Sequence, residues 1–381
     1  MCQIRCDSIL RVTVLMAAST LFLWGLPPDP DDGVRAALES HQYNLQNNGL
    51  KFVLEEAQNN DYFLLGEIHG DNEIPALLRA VWPAMWKVGY RHIAAEVSPW
   101  AADQLELAPV EKGIVVRGLW TRLQAAVVHA PAAPNTSVLW GCDMEEVQPQ
   151  YLIRELVALN PGDPQLSRMA TLTRDGYNRK VAPQLLSLAR ESSGSRDKIV
   201  NDVSLRRNLL ATLEIETNRL SPDTKMIAQN ERELLMKEQF LAHMRNSSTS
   251  QAGSKVLLRF GRNHLHRGYD ARGISTLGNF IVELAIAQGK KAFNVGAFGA
   301  GGRAALGGES FDADERPDEP AFALLAEKAN FPETIFDLRP LRPLLHRIPQ
   351  DQRSALERNL IYWADAYDAL ICYKTVTPLG P

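Results

Sequence analysis

The chain contains 381 residues, of which 45% are hydrophobic and 23% are charged, the balance of an ordinary globular protein. Its 41 Lys and Arg residues are outnumbered by 45 Asp and Glu residues, which gives a net charge of −4. A dedicated nucleic-acid binder needs a basic surface to neutralise phosphates, so this charge argues against that class of protein. Gly and Pro are near average usage and no fixed repeat period is visible, which excludes collagen-like and solenoid chains.

The first 26 residues have the pattern of an export signal. Arg5 and Arg11 precede an apolar stretch from Val12 to Leu26, which is short for a membrane span. No A-x-A cleavage site follows, because Pro27 and Pro28 come next. Two outcomes stay open: a cleaved signal peptide, which predicts a periplasmic or secreted protein, and an uncleaved segment that anchors the protein to the membrane.

Apolar runs of strand length alternate with stretches of helical periodicity from residue 50 onward. Most runs are continuously apolar, as expected for strands that are covered on both faces. The predicted strands are Tyr62–Leu65, His92–Val97, Val138–Cys142, Lys255–Phe260, Lys291–Val295, Thr334–Leu338 and Ala369–Tyr373. Amphipathic stretches between them include Glu73–Val88, Arg117–Val128 and Thr276–Ala287. This alternation predicts an α/β fold with a mostly parallel central sheet flanked by helices.

The middle of the chain breaks this rhythm. Residues 150–250 contain no convincing strand and are typical of several consecutive helices, so we expect a helical insertion within a single α/β domain spanning residues 27–381. Cys142 and Cys372 both lie in apolar, strand-like runs. Two buried thiols are therefore favoured over a disulfide between them.

Three predicted strands end in unusual polar residues. Glu67 and His69 follow the first strand, Glu96 ends the second, and His264 follows the strand that begins at Lys255. Ligands of a parallel sheet bind beyond the carboxyl ends of its strands, so these four side chains are candidates for one catalytic cleft. A carboxylate beside a histidine fixes its tautomer and raises its basicity, which suits a general base that activates water. Glu96 alone is more simply explained as solvated or ion-paired, and His69 alone is equally well explained as an ordinary loop histidine.

Arg232 is a candidate for holding a substrate carboxylate or a developing oxyanion, since guanidinium groups pair well with both. No G-x-S-x-G motif, Walker A motif or H-E-x-x-H helix occurs in the chain. A serine-hydrolase interpretation therefore lacks its nucleophile.

Several short motifs, taken together, resemble the erythromycin esterase-like proteins. Gly66-Glu67-Ile68-His69-Gly70, followed by Glu73, is similar to their opening Gly-Glu and His-Gly motif. Arg232-Glu233-Leu234-Leu235-Met236 is similar to their R-[DE]-x-x-M helix segment. Tyr367-Asp368-Ala369-Leu370, with Thr377-Pro378-Leu379 after it, resembles their C-terminal strand.

The resemblance implies a polar cleft in which the histidine of the first motif activates water to open a macrolactone. His69 would then be the base, Glu67 and Glu96 would orient it or the water, and His264 would be the second essential histidine. Arg232, Glu73 and His266 complete the candidate set as substrate-binding residues. The esterase-like proteins usually show H-N-x-H at the second motif, where this chain has Arg262-Asn263-His264-Leu265-His266. Which of His264 and His266 takes the second role stays open.

The paired spacings Gly66-x-x-His69 and Gly261-x-x-His264 also match the Tiki/TraB group, and the ChaN-type haem-binding proteins belong to the same broad superfamily. Our leading hypothesis is a hydrolase that uses histidine-activated water on an ester, lactone or amide, with a small-molecule or peptide substrate and no cofactor. The first alternative is a metal-dependent protease in which His69, His264 and Glu67 bind a divalent metal. The second alternative is a non-enzymatic protein that binds haem or iron.

Overall fold

The structure is a computed structural model that describes residues 30–107, 128, 130–132, 136–145, 148–192, 200–247, 254–306 and 309–379. The predicted signal or anchor at residues 1–26 and most of the amphipathic stretch Arg117–Val128 lie outside the described residues. Within the described ranges, no helix combines the length and the apolar character needed to cross a membrane.

An eight-stranded sheet forms the centre of the fold, with strand order β1-β9-β10-β6-β2-β5-β3-β4. The strands from β10 to β4 in that order run parallel, whereas β9 is antiparallel to both β10 and β1. The strand bounds are β1 Gln42–Asn44, β2 Tyr62–Glu67, β3 Tyr90–Ala95, β4 Leu139–Gly141, β5 Lys255–Gly261, β6 Ala292–Gly299, β7 Arg303–Leu306, β8 Glu309–Asp312, β9 Glu333–Asp337 and β10 Ala369–Tyr373. The predicted α/β class with a mostly parallel sheet is confirmed.

The seven predicted strands correspond to β2 to β6, β9 and β10. The three strands absent from the prediction have only three or four residues: β1 lies at the sheet edge, and β7 and β8 form a separate antiparallel pair. None of the three is a buried apolar run, because β1 has two polar residues and β7 and β8 are largely exposed. Cys142 and Cys372 are buried free thiols, as predicted.

Helices cover both faces of the sheet. Their bounds are α1 Pro30–Ser40, α2 Leu50–Asn59, α3 Glu73–Lys87, α4 Pro99–Leu107, α5 Pro149–Leu159, α6 Pro164–Leu172, α7 Ala182–Glu191, α8 Val200–Asn218, α9 Lys225–Ser247, α10 Leu277–Ala287, α11 Pro320–Lys328, α12 Arg342–Leu345 and α13 Ala355–Ala366. Helices α5 to α9 occupy the region for which the sequence predicts a helical insertion. The division of the chain into a leader, one domain and an insertion stays a prediction.

Alternate residues of β2 show how the sheet is sandwiched. Phe63 and Leu65 belong to one buried cluster together with Trp82 of α3, whereas Leu64 belongs to another together with Ile281 of α10. Successive side chains of a strand point to opposite faces, so a strand that is covered on both sides must be apolar at every position. This packing explains the continuous apolar runs.

The central strands bring distant segments to the same edge. In the parallel pairs, Glu67 at the end of β2 is in register with Gly261 of β5, and Ala95 of β3 is in register with Gly141 of β4. The residues that follow these four strands therefore lie side by side at the carboxyl edge of the sheet, where ligands of parallel sheets bind.

Gly70 makes the turn that follows β2 possible. Its φ of 78° lies in the left-handed region, and a Cβ atom there would lie 2.1 Å from the backbone oxygen of Ala305. Gly268 has a similar φ of 83°, but no atom lies within 4 Å of its would-be Cβ. An alanine at position 70 would therefore suffer both backbone strain and a steric clash, whereas an alanine at position 268 would suffer the strain alone.

We expect Gly70→Ala to lower the free energy of unfolding by at least about 2 kcal/mol, because strain and clash combine. Gly268→Ala, with strain alone, should cost about 1 kcal/mol. Urea denaturation of both variants measures the difference. Equal losses would show that the contact with Ala305 adds nothing to the requirement for glycine.

Candidate active site

His69 lies just beyond the end of β2 and pairs with a carboxylate from the same strand. Its Nδ1 lies 3.1 Å from Oε1 of Glu67, and the Nε of Arg259 donates a hydrogen bond to Oε2 of Glu67. Glu67 and Arg259 are buried, whereas the side chain of His69 keeps 30% of its surface exposed. Glu67 thus fixes the imidazole from behind while the ring reaches solvent.

Glu96 connects the two candidate histidines. Its Oε2 accepts a hydrogen bond of 2.6 Å from the backbone N–H of Gly261 and lies 3.7 Å from Nε2 of His69. Its Oε1 lies 2.7 Å from Nη2 of Arg232 and 3.4 Å from Nε2 of His264. One buried carboxylate therefore contacts the ends of two strands and one helix.

The close approach of His69 and Glu96 depends on the absence of a side chain at Gly261. A Cβ atom at this position would lie 2.6 Å from Nε2 of His69 and 3.2 Å from Oε2 of Glu96. Any other residue would displace the imidazole, so the glycine leaves the space in which the two groups meet.

His264 lies in the 3-10 turn Arg262–His264 that directly follows β5. Its Nδ1 lies 2.5 Å from Oε1 of Glu233, whose Oε2 accepts a hydrogen bond from the backbone N–H of Leu277. Its Nε2 faces Glu96 and lies 3.4 Å from Nη1 of Arg232. The imidazole is thus held between two carboxylates.

The neighbouring charges shift the pKa values of both histidines. Burial lowers the pKa of His264, but the carboxylates of Glu96 and Glu233 outweigh burial and raise it to about 10. Burial likewise lowers the pKa of His69, and the carboxylates of Glu96 and Glu67 overcome this and raise it above the ordinary value. Burial raises the pKa of Glu96, but His264, His69 and Arg232 together hold it well below its usual range. His264 is therefore an imidazolium at neutral pH.

The structure brings five of the predicted site residues together and places two elsewhere. His69, Glu67, Glu96, His264 and Arg232 form one cluster of contacts, which we call the histidine–carboxylate cluster. Glu73 begins α3, and its carboxylate accepts hydrogen bonds from the backbone N–H and the hydroxyl of Thr377. His266 packs its ring 4.4 Å from that of Tyr362, and burial lowers its pKa to about 4. Of the two histidines in the second motif, His264 is the one that shares a cluster with His69.

Three further residues contact the histidine–carboxylate cluster, and the sequence did not assign a role to any of them. Asp143 follows β4 and receives hydrogen bonds from Nε and Nη2 of Arg232. It stands beyond a strand end as Glu96 does, so the same rule would have found it. Glu233 adjoins Arg232 on α9, and Arg259 is a cation flanked by buried apolar residues within β5, which signals an ion pair.

Metal binding was one of the hypotheses from the sequence. Among the described residues, no three His, Cys, Asp or Glu side chains are arranged to hold a metal ion. The guanidinium of Arg232 contacts both His264 and Glu96, so a fixed positive charge already lies beside the groups that would bind a cation. His69 directs Nδ1 to Glu67. As arranged, these residues do not fit a metal.

A cleft of about 660 Å³ opens over Arg232 and His264. Its walls come from the turn before α7, the loop between α8 and α9, and the first turns of α9. The helical segment at residues 150–250 therefore supplies both Arg232 and much of the wall beside it.

No protein-family model matches the chain, and no curated protein matches it either. Among solved structures, a Bacillus cereus protein is 14% identical and aligns over 92% of this chain and 99% of that chain, with a TM-score of 0.58. The erythromycin esterase EreC in its open conformation is 13% identical, with 87% of this chain and 95% of that chain aligned and a TM-score of 0.58. At these identities the likeness shows a shared fold. The haem-binding ChaN of Campylobacter jejuni aligns with a TM-score of only 0.27, which supports no conclusion about haem.

The protonated His264 should make stability depend on pH. Its folded pKa of about 10 lies above the ordinary 6.5, so its stabilisation is complete below pH 6.5 and is lost as the pH rises toward 10. We expect the urea midpoint to fall less steeply over this interval in His264→Gln than in the wild type. His346→Gln is the matched control, because the side chain of His346 is exposed and its imidazole pairs with the carboxylate of Asp365. If the urea midpoint of His264→Gln falls with pH as steeply as that of the wild type, the raised pKa of His264 is contradicted.

Proposed function

We propose that this protein is a hydrolase in which His69 activates a water molecule to attack an ester, lactone or amide. The observation that carries this proposal is the Glu67–His69 pair, whose imidazole is partly exposed beside a buried cluster of charges. The fold shared with an erythromycin esterase is consistent with such chemistry, and the substrate class is part of the proposal.

We assign His69 the role of general base. In the neutral tautomer that carries its proton on Nδ1, this nitrogen donates a hydrogen bond to Glu67 and the second ring nitrogen, Nε2, carries a lone pair. Nε2 lies 3.7 Å from Glu96, which is too long for a direct hydrogen bond, so it is able to accept a proton from water. Glu96 and Glu67 stabilise the imidazolium that results.

His264 and Arg232 take a different role. The imidazolium of His264 and the guanidinium of Arg232 both line the cleft, and each is held by buried carboxylates. Fixed positive charges of this kind stabilise the negative charge that develops on a carbonyl oxygen during attack. We therefore assign them to transition-state stabilisation and not to proton abstraction.

Direct attack by water agrees with the state of the cysteines. Burial raises the pKa of Cys372 to about 12, and burial raises that of Cys142 well above its ordinary value. A thiol of this kind is neither ionised nor accessible, so neither described cysteine suits a covalent mechanism. We further propose that the protein is exported, on the pattern of residues 1–26, and acts on a small molecule or peptide.

Replacing His69 with alanine should lower kcat/KM on a responsive substrate by about 100-fold or more, because the base is lost. The measurement is hydrolysis of a panel of 4-nitrophenyl esters, lactones and amides by protein purified without chelators. His346→Ala, which removes an exposed histidine, is the matched control and should keep wild-type rates.

Full activity in His69→Ala would refute the role of this residue. Activity that disappears with a chelator and returns with added zinc would instead establish the metal-dependent alternative. A wild-type protein that hydrolyses no member of the panel would count against the proposed function as a whole.

Activity should also depend on the protonation of His69. The base must be neutral, so we expect kcat/KM to rise with pH through the raised pKa of His69, giving an acid limb centred above 6.5. In Glu67→Gln one of the carboxylates that raise this pKa is lost, and the limb should move to lower pH while the rate falls. A pH–rate profile of both proteins measures the shift, and an unmoved limb would contradict the pairing.

Glu67→Gln also removes a buried carboxylate that pairs with Arg259, so a urea midpoint must accompany the profile. Where the variant does not fold, NMR titration of His69 in the wild type tests the same point. A ring that titrates below 6.5 would show that the carboxylates do not raise its pKa.

A further inference from the structure

The cleft over His264 has an unusually uniform lining. Five cationic side chains contribute to its wall, and among the described residues that line it there is no Asp or Glu. The cations are Arg179, Arg219, Lys225, Arg232 and Arg272, and the other lining residues are Leu220, Pro222, Gln229, Asn263 and His264. In a protein with a net charge of −4, this concentration of positive charge is local to the cleft.

The acids that pair with these arginines lie behind them. Glu216 contacts both Arg179 and Arg219, and its side chain is 1% exposed while that of Arg179 is 48% exposed. Asp270 is 4% exposed and holds Arg272, which is 37% exposed. The buried carboxylates fix the guanidiniums in place, and the guanidiniums face the cleft.

Lys225 adds a further cation to this lining and is exposed on the first turn of α9. A pocket lined by fixed charges of one sign attracts and orients a ligand of the opposite sign. Because the charges are held in advance, binding an anion there requires little reorganisation.

We propose that this cleft binds the anionic part of the substrate, so that the protein acts on an ester, lactone or amide whose acyl or leaving group carries carboxylate or phosphate charges. The inference rests on the proposed function for its reaction and adds the class of substrate. A cleft of about 660 Å³ holds a ligand of small-molecule size. A nucleic acid is disfavoured, because the net negative charge of the chain opposes binding of an extended polyanion.

The test compares two esters that differ in one charge: the 4-nitrophenyl monoester of glutaric acid, which carries a carboxylate, and neutral 4-nitrophenyl butyrate. We expect the wild type to have a higher kcat/KM for the anionic ester, and 0.5 M NaCl should reduce that preference by screening. In Arg179→Gln/Lys225→Gln the ratio of the two kcat/KM values should fall roughly 5-fold or more.

Lys51→Gln is the matched control, because Lys51 is an exposed lysine on α2 that pairs with Glu55 outside the cleft. It should keep the wild-type ratio. Hydrolysis of both esters with no preference, or with a ratio that the double variant leaves unchanged, would overturn the anionic substrate class while His69 chemistry stood.

A protein that hydrolyses neither ester would count against the proposed function, and the cleft is then tested by binding alone. Citrate and inorganic pyrophosphate are titrated into the wild type and the double variant by calorimetry. Binding that weakens in the double variant supports an anion site independently of hydrolysis. No binding of either anion to the wild type would overturn the inference.

Discussion

The carboxylate of Glu96 contacts His69, His264, Arg232 and the backbone N–H of Gly261, so it links the ends of β2, β3 and β5 with α9. A carboxylate buried without such partners would cost several kcal/mol, or would take up a proton instead. Here the cations around it favour its ionised form, and the ionised form in turn raises the pKa of both histidines.

The helical region contacts the sheet edge through a cluster of buried charges. The cluster and its neighbours contain four carboxylates and two guanidiniums, so their net charge is negative until the imidazoles take up protons. The carboxylates are Glu67, Glu96, Asp143 and Glu233, and the guanidiniums are Arg232 and Arg259. Protonation of His264 reduces that charge, and protonation of His69 removes what remains. Arg232 on α9 contacts two of the carboxylates, but α9 also supplies Glu233, so protonation of the imidazoles, and not the helix, removes the net negative charge.

The sequence predicts those site residues whose position follows from sheet geometry. It does not predict those that depend on the orientation of a turn or on tertiary contacts. Glu67, His69 and Glu96 follow apolar runs, and the geometry of a parallel sheet is enough to bring such positions to one edge. The role of Asp143 follows from the same rule, although β4 is a short strand with a weaker signal. The sequence did not distinguish His264 from His266. They are only two residues apart in a turn, yet His264 faces Glu96 whereas His266 packs on Tyr362. The cationic lining of the cleft was equally hidden, since Arg179, Arg219 and Arg272 meet only through tertiary contacts.

The two histidines show how one residue type acquires two functions at the same sheet edge. His264 lies between two buried carboxylates and is held as a cation at neutral pH, which prevents it from acting as a base. His69 has one close carboxylate and a partly exposed ring, so it is able to exchange protons with solvent. This asymmetry suits a reaction that needs both a base and a fixed positive charge. An anionic substrate attracted by the arginines of the cleft would lie beside the fixed charges of His264 and Arg232.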